Sequence, residues 1–251
     1  MAQFLTRRGF NQQMMSHILA FSFWETVLLQ DMIANPLKPI TDRWANQLNE
    51  MCSDLRTNTL SPSQWQDQLE ELFQQLAFEE VLRMIDFDRL SKGFVYPDLG
   101  VNTKVVRFPK LAGLPDRLAF YPKIFGMKKD RAIIPHGHKN MASAHLVIKG
   151  EFALKHYDKV REEANHLIIR PSIDKVLTVG EASSISDEKD NIHWFRATSD
   201  VAFTFDVIVL DLNDRQYEID NIDPYAAENL SGGLLRAPKL DVQEALRKYG
   251  K

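Results

Sequence analysis

Between residues 41 and 90 apolar side chains recur every three or four positions, with polar residues between them. Trp44, Leu48, Met51 and Leu55 fall on one such stripe, the pattern of an amphipathic helix. Ser61-Pro62-Ser63-Gln64 reads as the start of a second helix. Ser61 serves as N-cap, proline suits the first helical position, and Gln64 reaches back to close a capping box. The run behind it sets Trp65, Leu69, Leu72, Phe73 and Leu76 on a core stripe. Gln64, Gln66, Gln68, Gln74 and Gln75 are left for the solvated side. A further helix is expected over 79–90, ending at Ser91-Lys92-Gly93, where glycine suits a left-handed C-terminal cap. Nearer the start, Met14, Ile18, Phe21, Glu25 and Leu28 sample one face of an N-terminal helix.

After Gly93 the texture changes. Prolines at 97, 109, 115, 122 and 135 and glycines at 100, 113, 126 and 137 break the chain into short pieces. Between them lie β-type runs at 104–108, 118–121, 132–136, 145–148, 152–157, 166–170, 175–179, 192–196 and 201–212. Many short strands at close spacing predict a mainly β sandwich or barrel. From Asp214 the chain is acidic and loop-like, with Ser231-Gly232-Gly233 as a hinge and a short helix at 242–248. The expected divisions are 1–34 (export signal or N-terminal helix), 35–93 (helical), 94–213 (β-barrel) and 214–251 (tail).

Composition narrows the function. At 251 residues, 44% hydrophobic and 26% charged, the chain suits one sizeable domain with an appendage, or two small ones, and is neither fibrous nor largely disordered. Lys and Arg total 31 against 34 Asp and Glu, and no basic stripe is visible. That argues for a small-molecule partner and against nucleic acid. The lone Cys52 excludes an intramolecular disulfide and a Cys-rich zinc site. No Gly-rich phosphate loop and no GxSxG elbow occur.

Thr6-Arg7-Arg8-Gly9-Phe10 precedes a weakly apolar stretch over 14–24, too short for an integral membrane span. The arrangement resembles a twin-arginine export signal, although Glu25 cuts the apolar run and no small-x-small cleavage site follows. If the signal is used the location is periplasmic; otherwise it is cytoplasmic.

Of seven histidines, six lie between His136 and His193. His136 and His138 stand two apart on a strand, so both imidazoles point to one face. A tight connection over 139–142 leads to a strand on which Ser143, His145 and Val147 share a face, ending at a hairpin turn, Lys149-Gly150-Glu151. Antiparallel pairing of these two strands would bring His145 beside the pair. His193 starts a distant strand. Two histidines on one strand and a third from another make a facial imidazole set suited to Fe, Mn, Ni, Cu or Zn. The plainer alternative is loop-edge histidines satisfied by backbone. His145 is either a fourth ligand or a hydrogen-bonding neighbour; His156 either lines the pocket or packs; His166 reads as structural. Arg131, Lys149, Arg170 and Arg196 are cations near the expected mouth, each a carboxylate anchor or a solvated surface charge.

The segment His136-x-His138, Ser143, Gly150-Glu151 resembles the first motif of the cupin superfamily, with matching spacings from His138 to Ser143 and from Ser143 to Gly150. His193 stands where the second motif ends, but its usual Pro-x-Gly turn is replaced by Ser186-Asp187-Glu188-Lys189-Asp190. The resemblance covers roughly 100–213 and implies a double-stranded β-helix, or jelly-roll barrel, behind an all-helical N-terminal segment. It implies a divalent ion on His136, His138 and His193, Fe(II) foremost, with Mn, Ni, Cu and Zn as alternatives.

Most cupins carry a metal-binding glutamate where this chain has Ser143. The remaining neutral three-histidine set is similar to that of cysteine and related thiol dioxygenases. It implies an oxidoreductase acting on a small anionic or thiol-bearing substrate, with positions open for substrate and O2 and with His145 and Ser143 as catalytic neighbours. The alternatives are a metal-dependent isomerase or lyase, and a non-catalytic metal- or ligand-binding cupin. A homodimer is also expected.

Overall fold

The computed structural model describes residues 39–75 and 77–251. The Arg7-Arg8 motif, the N-terminal helix expected around Met14–Leu28 and the core position given to Leu76 lie outside the described residues.

Among the described residues four helices come first: α1 (Pro39–Arg56), α2 (Pro62–Gln75), α3 (Phe78–Met84) and α4 (Phe87–Ser91). The capping box forms as expected, with Ser61 N donating to Gln64 Oε1 at 3.1 Å and Gln64 N to Ser61 Oγ at 3.3 Å. The single helix expected over 79–90 is two, because Asp86 adopts left-handed backbone at φ 53° and ends the first. Gly93 follows α4 at φ 62°. Among the described residues no helix is long and apolar enough to cross a membrane.

The strands form two antiparallel sheets. One runs β1 (Asn102–Val105), β2 (Tyr121–Lys128), β9 (Val201–Leu210), β4 (Met141–Lys149), β7 (Ala182–Ile185). The other runs β10 (Glu218–Ile222), β3 (Ala132–Lys139), β8 (Ile192–Ala197), β5 (Phe152–Glu162), β6 (His166–Leu177), β12 (Leu235–Leu240), β11 (Glu228–Asn229). Their inner faces pack together through Met127, Val147 and Ala202 of the first sheet and Ile133, Phe152, Leu154 and Phe195 of the second. The result is a mainly β jelly-roll barrel with a helical front, the expected fold class.

The helical front covers the outer face of the first sheet. β9 is an almost unbroken apolar run because both its faces are buried. Phe203, Phe205, Val207 and Val209 meet the helices, while Ala202 faces the barrel. Phe73 of α2 meets Phe205 edge-on at 6.5 Å, and Phe87 of α4 meets Phe203 at 5.3 Å. Gly126 lies opposite Phe203, whose ring would sit 2.3 Å from any Cβ there, so only glycine lets the ring cross the strand.

Three expectations need correction. β3 and β4 do not pair: they belong to opposite sheets, and Asn140, at φ 55°, carries the chain from one to the other. Lys149-Gly150-Glu151 is likewise a crossing between sheets and not a hairpin turn, since β5 pairs with β6 and β8. Gly150, at φ 74°, has the Val201 carbonyl 2.5 Å from its Cβ position. The tail beyond residue 213 is not loop-like. β10 pairs with β3, and β12 pairs with both β6 and β10, closing the second sheet around Tyr157, Leu167, Ile192 and Ile222. Lys139 and Lys239 hold this closure through Glu162 and Asp220. The acidic residues that suggested a loop are thus partners for lysines on neighbouring strands. Helix α5 (Val242–Tyr249) ends the chain's regular structure.

Candidate metal centre

β3 carries a bulge. Ile133 pairs with Phe195 and His136 with His193, so three steps on β3 oppose two on β8, with Pro135 in the irregular stretch. Proline has no N–H to give a ladder and is tolerated at such bulges. The extra residue shifts the strand's phase, so that Ile133, His136 and His138 all face the barrel.

The ligand nitrogens of His136, His138 and His193 lie within 4.8 Å of one another. Ring centroids are 4.7 Å apart for His136–His138, 4.5 Å for His136–His193 and 5.1 Å for His138–His193. His193 is the hub: His145 reaches it from the opposite sheet at 4.9 Å, and His156, paired with it across β5 and β8, at 6.2 Å. The structure therefore brings His145 to the cluster, but across the barrel and not through a hairpin. His156 is fully buried, its Nε2 3.1 Å from Ser183 Oγ.

Burial pushes His136 down to about 4, a fall reinforced by His145 and opposed by the Ile134 carbonyl. Burial, then the neighbouring histidines, hold His138 and His193 well below the usual imidazole range. All three rings are neutral near pH 7, the protonation state that ligation needs. His136 Nδ1–H donates to the Ile134 carbonyl at 2.7 Å, which leaves Nε2 as a lone pair pointing inward. That atom is 3.1 Å from His193 Nε2. Two nitrogens each about 2.1 Å from one ion, at angles between right and tetrahedral, lie about 3.0–3.4 Å apart. Neither ring nitrogen of His138 has a hydrogen-bond partner among the described residues, nor has His193 Nδ1. Buried polar atoms left this way are costly unless something else satisfies them. An all-nitrogen set of neutral donors fits a divalent transition metal.

Opposite the cluster, Ser143 and His145 belong to one hydrogen-bonded chain. His145 Nδ1–H donates to Asp206 Oδ2 at 2.6 Å, and His145 Nε2 meets Ser143 Oγ at 3.1 Å. Asp206 lies opposite both His145 and Lys123 in the ladder. Lys123 is 2% exposed, and burial lowers it to about 8 against the opposing pull of Asp206. Sequence reasoning missed both residues. Asp206 left a signal, a single carboxylate in the apolar run 201–210, since a buried charge requires a partner. Lys123 leaves none, because the β-type run 118–121 reaches β2 only at Tyr121. Of the four surface cations, Arg196 is on the outer face of β8, opposite Ala153.

The segment replacing the Pro-x-Gly turn is clamped by α2. Ser186 Oγ donates to Gln66 Oε1 at 2.6 Å, Ser184 Oγ to Glu70 Oε1 at 2.5 Å, and the Ser63 N–H and hydroxyl donate to Glu188 Oε2. Gln66 is therefore buried, not solvated as expected, at 1% exposure. It sits at the edge of the apolar stripe, where α2 meets the barrel rim. Asn191 ties this segment to the centre, its Nδ2 donating to the His138 carbonyl at 2.8 Å and the Ser186 carbonyl at 3.1 Å.

No family model matches the chain, and no curated relative matches it. Solved structures similar to it are cupin-fold proteins. Procruciferin, an 11S globulin of Brassica napus, shares 15% identity at a TM-score of 0.35 over 53% of this chain and 30% of that one. A vicilin of Solanum melongena shares 11% at 0.37, covering 56% and 35% respectively. KdgF of Halomonas sp. shares 16% at 0.32, covering 47% and 88%. The aligned part spans only about a third of the globulin and vicilin chains. None of these likenesses carries an argument about activity.

Proposed function

We propose that the chain is a mononuclear metal enzyme, an Fe(II)-dependent dioxygenase acting on a small anionic or thiol-bearing substrate, with His136, His138 and His193 holding the ion. The observation that carries this reading is the donor set: three neutral imidazoles within 4.8 Å, two buried and His136 half-buried, with no carboxylate among them. An ion held by three neutral ligands keeps its full charge and free positions, and so supplies a redox-active Lewis acid that attracts anionic donors. The protein's own groups do the rest. The Ile134 carbonyl fixes the His136 tautomer, and the barrel walls exclude water. Ser143 and His145, oriented by Asp206, present polar atoms beside His193 where a substrate would be positioned.

The test is elemental analysis of protein purified without added metal, followed by O2 uptake on a panel of small thiols and carboxylates. Bound iron with substrate-dependent O2 uptake supports the proposal. Bound metal with isomerised or eliminated product and no O2 uptake replaces it with an isomerase or lyase. Metal without any turnover replaces it with a binding protein. Metal content near zero, unchanged in His136→Ala, removes the site.

Location is a separate proposal. A reporter fused behind the first 34 residues reaches the periplasm if Arg7-Arg8 is an export signal, and Arg7→Lys with Arg8→Lys retains it in the cytoplasm. Equal export of both forms refutes it.

A further inference from the structure

β8 alternates between the inside and the outside of the barrel. His193 and Phe195 face inward, whereas Trp194 packs outward against Ile134 and α5. On that outer face, across the strand layer from the histidine cluster, lies a cleft of about 400 Å³ between β5–β8 and the end of α5. Ala153, opposite Arg196, gives it a small floor.

Its walls are aromatic. Trp194 meets Tyr225 at 5.6 Å and 87°, and Tyr249 at 5.6 Å and 70°. The Tyr249 hydroxyl is anchored on buried Asp223, so this wall is fixed in place. Tyr225 is 66% exposed, a large ring held in water beside the opening. The rim is cationic: Lys155, Arg196, Lys248 and Lys251 line it, and no Asp or Glu side chain does. Lys155 pairs with Asp174 and Lys248 with Asp223. Arg196 and Lys251 have no carboxylate partner among the described residues.

We infer that this cleft binds a mononucleotide, its base against Tyr225 and Trp194 and its phosphate on the Arg196 guanidinium. Each half of the site asks for one half of such a ligand. Aromatic faces favour a flat ring regardless of its edge pattern, and an unpaired guanidinium favours a phosphate it can grip with two N–H groups. A volume of about 400 Å³ is in the range of small-ligand pockets. The cationic rim is one compact cleft and not a track along the surface, which favours a single nucleotide over a polymer. The inference is independent of the metal, although Trp194 is the chain neighbour of His193.

The experiment titrates the full chain with adenosine monophosphate, adenosine and inorganic phosphate at low salt by calorimetry, and follows tryptophan fluorescence in parallel. The monophosphate should bind at least about tenfold more tightly than either part. Arg196→Ala and Tyr225→Ala should each weaken it about tenfold with unchanged metal content and melting temperature. The fluorescence change should be largely lost in Trp194→Phe and kept in Trp24→Phe, because Trp44 and Trp65 are buried in the helical front. The inference is overturned if the monophosphate does not bind, if phosphate alone binds equally well, or if neither substitution weakens binding. It is also overturned if a single-stranded oligonucleotide binds more tightly than the monomer.

Discussion

Asp206 and His145 stand directly opposite each other on β9 and β4 and share a 2.6 Å hydrogen bond in a buried interior. The carboxylate can only accept, so His145 carries its proton on Nδ1 and turns Nε2 toward Ser143. Asp206→Asn keeps the shape but removes the charge and offers an amide that can also rotate to present N–H groups. Outer-shell changes of this kind typically cost about 10–100-fold in activity or metal affinity. The variant is expected to keep its metal while turnover falls by about that factor, with metal content and initial rate measured on the same sample. Full activity would show that His145 needs no such anchor.

His136→Ala, His138→Ala and His193→Ala should each abolish tight metal binding, because a two-imidazole remnant cannot close the set. His156→Ala should retain the metal: that ring meets His193 at 6.2 Å and is committed to Ser183. Competition with a chromogenic chelator separates the two classes. Metal loss in His156→Ala would enlarge the ligand set to four.

The strands and helices were legible in the sequence where one periodicity dominates. α2 with its capping box, the spacing of His136 and His138 and the place of His193 near the start of β8 are local features that the chain spells out directly. What stayed hidden depends on partners far along the chain. Which sheet β4 joins is decided by how the inner faces pack, not by the connection at Asn140, so His145 reached the cluster by an unforeseen route. The tail looked loop-like because its acidic residues have their lysines on β3 and β12. Gln66 read as solvated because only the fold brings Ser186 over it. Asp206 was visible as an odd charge, but its role depends on a partner 61 positions away.

Those long-range partners make the clamp between α2 and the 186–190 segment testable. Gln66→Ala leaves the buried Ser186 hydroxyl without its acceptor, and Asn191→Ala removes the tie between the His138 carbonyl and Ser186. Each should cost about 1–3 kcal/mol in stability. Asn191→Ala should in addition weaken metal binding by about tenfold, since it loosens the link between the two strands that deliver His138 and His193. Chemical unfolding gives the first quantity and chelator competition the second. Equal affinity in Asn191→Ala and wild type would reduce Asn191 to a purely structural residue.

Cys52 reports separately on the helical front. It is fully buried on α1, and burial raises its thiol to about 12 against the contribution of Trp65. An exposed thiol becomes reactive as pH rises through about 8.5. Cys52 should instead resist an aromatic disulfide reagent through pH 9 and react fully in denaturant. Rapid native labelling would mean that the helices detach from the first sheet under native conditions.

The metal-free protein should lose stability on mild acidification. Burial lowers His136 to about 4 and His156 to about 3, whereas both titrate near 6.5 when unfolded. Between those limits the unfolded chain binds more protons than the folded one, so stability rises with pH. The neutral-histidine core is thus fully supported above about pH 6.5 and weakens as pH falls below it. His138 and His193 act in the same direction. Asp187 and Asp190, raised by burial, offset part of this. Urea unfolding of metal-free protein at pH 7, 6 and 5 should show a steadily falling midpoint. Saturating metal should raise the midpoint most at pH 7, where protons compete least for the imidazoles. A midpoint independent of pH across this range would mean that the histidines are not buried as neutral rings.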